Sequence, residues 1–122
     1  MTNPQKRKGD NAEREIAQLI EQLTGIKARR TRPGRLEDEG DLHLELDSQT
    51  HTIAPTVIQV AAWKDTTSAL RIKPLECEEQ RIRARAAHAA TAIKLPRAGW
   101  RIALTLEQYA AYLQATIERR TP

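Results

Sequence analysis

Residues 41 to 47 read DLHLELD, and the strict alternation of leucines with polar residues admits one local structure. Side chains along an extended strand point to opposite faces at period two. Leu42, Leu44 and Leu46 therefore share one face, and Asp41, His43, Glu45 and Asp47 the other. A helix would scatter those leucines around its surface. Residues 57 to 65, VIQVAAWKD, read as a second strand, with a puzzle inside it. Val57, Ile58 and Val60 suit a core, yet an amide interrupts them at Gln59 and two alanines follow. Period two puts Gln59, Ala61 and Trp63 on one face and Ile58, Val60 and Ala62 on the other. A polar connection containing Pro55 is expected to join the two strands as a hairpin.

The remaining periodicities are simpler. Ile16, Leu19, Ile20 and Leu23 at helical spacing predict a helix over 10–24, closed by Gly25. Asp10 and Glu13 have the spacing of an N-cap and the third-position acid that reaches back to it. A second helix is expected from about Pro74, a residue suited to a first helical turn, to Thr91. Short strands follow at 91–95 and 100–104, joined by a turn over 96–99. Thr105 and Gln108 have capping-box spacing, and Leu106, Tyr109, Ala110, Leu113 and Ile117 give the last helix one apolar stripe. The order α, β, β, α, β, β, α implies an α/β fold in which helices flank a mixed central β-sheet. At 122 residues, with no repeat or linker, the chain is expected to be a single domain, with residues 1–9 a flexible basic arm.

Composition narrows the partners. The hydrophobic fraction is 39%, phenylalanine is absent and alanine supplies much of the apolar count, so the core should be thin and a second copy is expected to complete it. No run of about 18 apolar residues exists to cross a membrane, and MTNPQKRKGD has no signal-peptide stretch, so a cytoplasmic protein is expected. One cysteine, Cys77, fits a reducing compartment and reads as a small, partly buried side chain. Twenty Lys and Arg against sixteen Asp and Glu give a net charge of +4. The basic residues cluster: Lys6, Arg7 and Lys8, then Lys27, Arg29, Arg30, Arg32 and Arg35, bracket the first helix. The acids Glu37, Asp38, Glu39, Asp41, Glu45 and Asp47 lie close behind. Basic walls around carboxylates suit a metal-dependent enzyme acting on phosphodiesters.

Glu13 lies within about 40° of Ala17 and 20° of Ile20 around the helix axis, on the stripe that should face the core. A carboxylate there needs a partner. The stretches KGDNAEREIAQLIEQLTG, RTRPGRLEDEGDLHL and VIQVAAWKD together resemble the PD-(D/E)XK nuclease superfamily, closest to its Holliday junction resolvase-like branch. The resemblance covers about the first 75 residues well and the remainder loosely. It implies a restriction endonuclease-like fold. It also implies a glutamate from the first helix, an aspartate opening the second strand and an acid-x-lysine triplet on the third, gathered around Mg²⁺, for which Mn²⁺ substitutes. Glu13 matches the first, Asp41 the second, and Gln59-Val60-Ala61 occupies the triplet. The basic residues Lys6, Arg7, Lys8, Arg29, Arg30, Arg32 and Arg35 would then contact DNA, branched DNA in particular, and two copies would make paired cuts.

Two departures matter. Gln59 stands where the family has an acid, although its amide oxygen can still hold a hard cation. Ala61 stands where the family has lysine, and alanine can neither orient water nor neutralise charge on a phosphate. Lys64 is three residues on, and this odd offset turns it to the opposite face unless the strand bulges. The simplest expectation is a nuclease whose lysine has been replaced, leaving this chain inactive. The alternative is a DNA-binding protein that keeps the fold without the activity. Other residues have plainer expected roles: His43 a polar surface group, Trp63 and Trp100 buried, and Arg81 either paired with Glu78 or one half of a phosphate ridge with Arg85.

Overall fold

The computed structural model describes residues 4–30, 41–44 and 55–120, with side chains between 9 and 117 in those ranges. Three helices and five strands follow in the order α1 (Pro4–Thr24), β1 (Ala28–Arg30), β2 (Leu42–Leu44), β3 (Thr56–Ala61), α2 (Thr66–Ala84), β4 (His88–Leu95), β5 (Gly99–Ala103) and α3 (Leu106–Arg120). The strands form one mixed sheet in sequential order. The first three make an antiparallel meander, with Arg30 opposite Leu42 and Leu42 opposite Ile58. β4 runs parallel to β3, with Ile58 opposite Ala90, and β5 returns antiparallel. Parallel neighbours need a crossover, and α2 supplies it.

The period-two reading of β3 explains the layers. Ile58 joins Leu42, Ala90 and Ala92 against Ile16 of α1, with Leu19, Ile20 and Trp100 packed around them. The other face lies under α2: Val57 and Ala89 pack on Cys77 and Ala86, and Ala61 and Ile93 on Ala69. More than half of the buried apolar residues described are alanines, so each adds little apolar area and the core is as thin as composition implies. On the α1 side a groove of about 850 Å³ stays open between α1 and α3, lined by Ile20, Ile58, Ala90, Leu104 and Tyr112.

Several boundaries depart from the sequence expectation. Helix α1 begins at Pro4, so Asp10 and Glu13 are interior helical residues, not a cap. Helix α2 begins after Asp65, whose carboxylate accepts from Ser68 N at 3.0 Å and Ser68 Oγ at 2.7 Å. Pro74 lies buried inside α2, where it removes one i to i−4 bond to Leu70, an exposed residue. α2 stops well before Thr91, because Arg85 adopts a left-handed φ of 57° and the Ala86 N–H closes back on Arg81 O at 3.0 Å. β1 was not expected at all. The continuation of DLHLELD past Leu44, with Glu45, Leu46 and Asp47, lies outside the described residues.

The start of α3 matches its expected capping box. Gln108 N donates to Thr105 Oγ1 at 3.0 Å, and Thr105 N donates to Gln108 Oε1 at 2.9 Å. The Gln108 amide also donates to Pro74 O and Glu78 on α2, while Tyr112 stacks on His88 with ring centroids 4.2 Å apart. The apolar stripe of α3 does not enter this core: Leu106, Tyr109, Leu113 and Ile117 are exposed. Among the described residues no helix is long and apolar enough to cross a membrane.

Candidate active site

Pairing between β2 and β3 stops at Leu42 opposite Ile58, and the chain enters β2 through Asp41. Asp41 therefore sits beside the Gln59 position. Its Oδ2 accepts the Val60 N–H at 2.8 Å, supplying an acceptor where the strand ladder ends. The Asp41 charge also reaches the α2 face. Burial first, and the negative charge of Asp41 as a smaller cause, push the Cys77 thiol up to about 11. Cys77 is fully buried rather than partly so, donates to Ala90 O at 3.3 Å, and is an inert structural thiol.

Gln59 points toward α2 from the centre of β3 and is 5% exposed. Its Nε2 donates to Glu76 Oε1 at 3.5 Å, which turns Oε1 elsewhere, and that buried oxygen has no hydrogen-bond partner among the described residues. Glu76 Oε1 also receives Lys73 Nζ at 2.9 Å, and the same ammonium lies 4.7 Å above the Trp63 ring centroid. Trp63 is partly exposed rather than buried. Sequence reading missed Lys73 and Glu76. Their signal is the i, i+3 spacing in KPLE, which a helix starting at Pro74 hides.

Ala61 occupies a closed apolar position, 1% exposed against Ala69 and Ile93. A lysine grown from that Cβ would meet α2 before it met solvent. Lys64 lies past the end of β3 and is exposed.

Glu13 is directed elsewhere. α1 covers the Ile58 face, opposite to Gln59 and Ala61, and Glu13 Oε1 accepts from Arg30 Nη2 at 2.9 Å and Nε at 3.2 Å. Asp10 takes the same guanidinium at 3.1 Å. Arg30 is thus engaged within the chain, and Arg29, on the opposite face of β1, is exposed. Lys6, Arg7 and Lys8 fall in α1 with side chains that are not described, and Arg32, Arg35 and the acidic residues 37–39 lie outside the described residues entirely. His43 is buried rather than at the surface. Arg81 pairs with Glu78 at 2.6 Å, the first of its two expected roles, and Arg85 ends α2 in a left-handed backbone conformation. Trp100 is half-buried, and its indole N–H donates to Glu15 at 3.0 Å. That bond chiefly, with help from Lys94, holds the Glu15 carboxyl below its usual range against the opposing effect of burial.

Of the three residues expected to gather around a cation, Asp41 and Gln59 occupy neighbouring positions at the end of the β2–β3 ladder, and Glu13 lies on the other face. Among the described residues no three His, Cys, Asp or Glu side chains form a metal-holding group. What the α2 face offers is mixed: the Asp41 carboxylate, the unpartnered Gln59 amide oxygen and the Glu76 carboxylate, all hard oxygen donors suited to Mg²⁺ or Mn²⁺. Comparison with protein-family models, curated proteins and solved structures finds no match.

Proposed function

We propose that this chain is a metal-dependent DNA endonuclease of PD-(D/E)XK type, with a restriction endonuclease-like fold and a preference for branched DNA. The observation that carries the reading is strand order. With β1 in place, Asp41 opens the second strand of the sheet, and Gln59 and Ala61 lie on the third, the positions the resemblance assigns. Asp41 and Gln59 would hold the cation. When bound, Mg²⁺ would polarise the phosphate and lower the pKa of a coordinated water. The exposed Lys27 and Arg29, with the basic residues of early α1, would track the DNA backbone. A reducing, cytoplasmic setting suits the buried Cys77 thiol.

A homodimer belongs to the same reading, because paired cuts in a branched substrate call for two sites related by a twofold axis. The outward stripe of Leu106, Tyr109, Leu113 and Ile117 supplies apolar surface for it.

One observation favours the alternative, a DNA-binding protein without activity: position 61 is packed shut. Incubating a four-way junction, a duplex and a single strand with this chain and with its Ala61→Lys variant, in Mg²⁺ and in Mn²⁺, separates the two. Cation-dependent cleavage by either protein, lost on adding Asp41→Asn, is the expected outcome. Binding without cleavage by both leaves only the binding protein.

A further inference from the structure

Position 61 lacks an ammonium and position 59 lacks a carboxylate, yet both groups lie on the helix that covers this face, the carboxylate 3.5 Å from the Gln59 amide and the ammonium 2.9 Å from that carboxylate. We infer that one turn of α2 supplies them: Lys73 acts as the ammonium directed at the scissile phosphate, and Glu76 as the second carboxylate toward the cation. This rests on the nuclease reading and deepens it, since it makes the chain as it stands an active enzyme.

The geometry has three parts. Lys73 and Glu76 are i, i+3 neighbours on the helix that covers the Gln59 face. Glu76 joins the strand through Gln59 Nε2 at 3.5 Å, and Lys73 joins Glu76 at 2.9 Å. Lys73 also lies over Trp63, 4.7 Å from its ring centroid, and Trp63 is two residues beyond Ala61, where β3 ends. The ammonium is therefore tied on one side to Gln59, through Glu76, and on the other to Trp63 just past the end of β3. Its side chain is only 17% exposed, far less than a surface lysine needs to be, so it is held rather than waving in solvent. The small side chains of Ala61 and Ala69 let α2 approach closely enough for this, which gives the alanine at 61 a reason beyond loss of lysine. The buried Gln59 Oε1 beside Glu76, without a partner among the described residues, is a second observation pointing to a ligand, because a buried amide oxygen left unsatisfied is costly and a hard cation would satisfy it.

In the hydrolysis a water oxygen bonds to phosphorus and the bond from phosphorus to the leaving sugar oxygen breaks. The water gives up a proton to solvent and the sugar oxygen takes one up. Lys73 exchanges no covalent bond. It donates hydrogen bonds to the phosphoryl oxygen on which negative charge builds, an interaction stronger in the transition state than in the ground state.

The test compares wild type, Lys73→Met, Glu76→Gln and Ala61→Lys for junction cleavage, for junction affinity in Ca²⁺, and for Tb³⁺ binding read by tryptophan-sensitised emission. Wild type should cut, and Lys73→Met should lose about 10² to 10³ in rate while keeping Tb³⁺ and DNA affinity, since lysine is no cation ligand. Glu76→Gln should weaken Tb³⁺ binding at least about tenfold, the loss of one charged ligand. If wild type cuts and Lys73→Met cuts as fast, the inference is overturned and the nuclease reading stands. If only Ala61→Lys cuts, the inference is likewise overturned and that reading stands. If nothing cuts, both fall. Circular dichroism on each variant excludes unfolding as the cause.

Discussion

Arg30 holds Glu13 with two nitrogens on one oxygen, Nη2 at 2.9 Å and Nε at 3.2 Å. The bond ties α1 to the first strand and draws the carboxylate away from the Gln59 face. Glu13→Gln should therefore leave Tb³⁺ affinity unchanged and lower stability by about 1 kcal/mol or less, as for a partly exposed ion pair. Asp41→Asn should do the reverse, abolishing Tb³⁺ binding. A titration in which Glu13→Gln loses the cation as fully as Asp41→Asn would return Glu13 to the ligand set.

His88 sets the acid limit. Burial, then the nearby Arg81 charge, lower its pKa from the ordinary 6.5, while its ring lies against Tyr112. The unfolded chain binds the proton more readily, so His88's contribution is complete above pH 6.5 and is lost as pH falls below it. Urea midpoints measured between pH 7.5 and 5 should decline, and His88→Gln should flatten that decline. Loss from the lowered carboxyls of Glu15 and Glu78 begins only below about their ordinary 4.5.

Cys77 sets the alkaline limit. Its thiol is pushed from 9.0 to about 11, mainly by burial, so its contribution is present below pH 9 and disappears as pH rises toward 11. Tyr112, raised from 10 first by burial, adds a loss that starts higher. Native protein at pH 8 should react with a thiol reagent at least about 100-fold more slowly than unfolded protein, following the thiolate fraction. Rapid native labelling would show that Cys77 is reachable.

If the stripe on α3 joins two copies, Leu113→Glu should shift sedimentation from dimer to monomer at tens of micromolar. Its thermal stability at high dilution should match that of wild type, since Leu113 is exposed in the single chain. An unchanged dimer would place the contact elsewhere, with the exposed Leu70, Leu75 and Ile82 of α2 next to be replaced.

What the sequence made legible was whatever repeats. VIQVAAW assigned Gln59 and Ala61 to one face by period two alone, and Thr105 with Gln108 located the start of α3 to the residue. β1 was not legible, because Ala28, Arg29 and Arg30 offer no alternation and extend only by pairing with β2. Pro74 misled in a specific way. It fits a first helical turn, but the helix tolerates the one bond it loses because Asp65 caps a turn that begins well upstream. With the helix expected to start at Pro74, Lys73 falls just outside it and its pairing with Glu76 cannot be drawn from the sequence.

The parallel pairing of β3 and β4 has a consequence for how the chain folds. The meander from β1 to β3 and the β4–β5 hairpin are local, but the sheet joins in the middle only after residues 62–87 have formed α2 and laid it across the seam. Loop closure precedes the contacts that reward it, so docking of α2 is the natural barrier. Ala69→Gly, which weakens the helix where it meets Ala61 and Ile93, should slow refolding more than it speeds unfolding, giving a φ-value well above one half. The helix that carries Lys73 and Glu76 would then be ordered by the same event that completes the sheet.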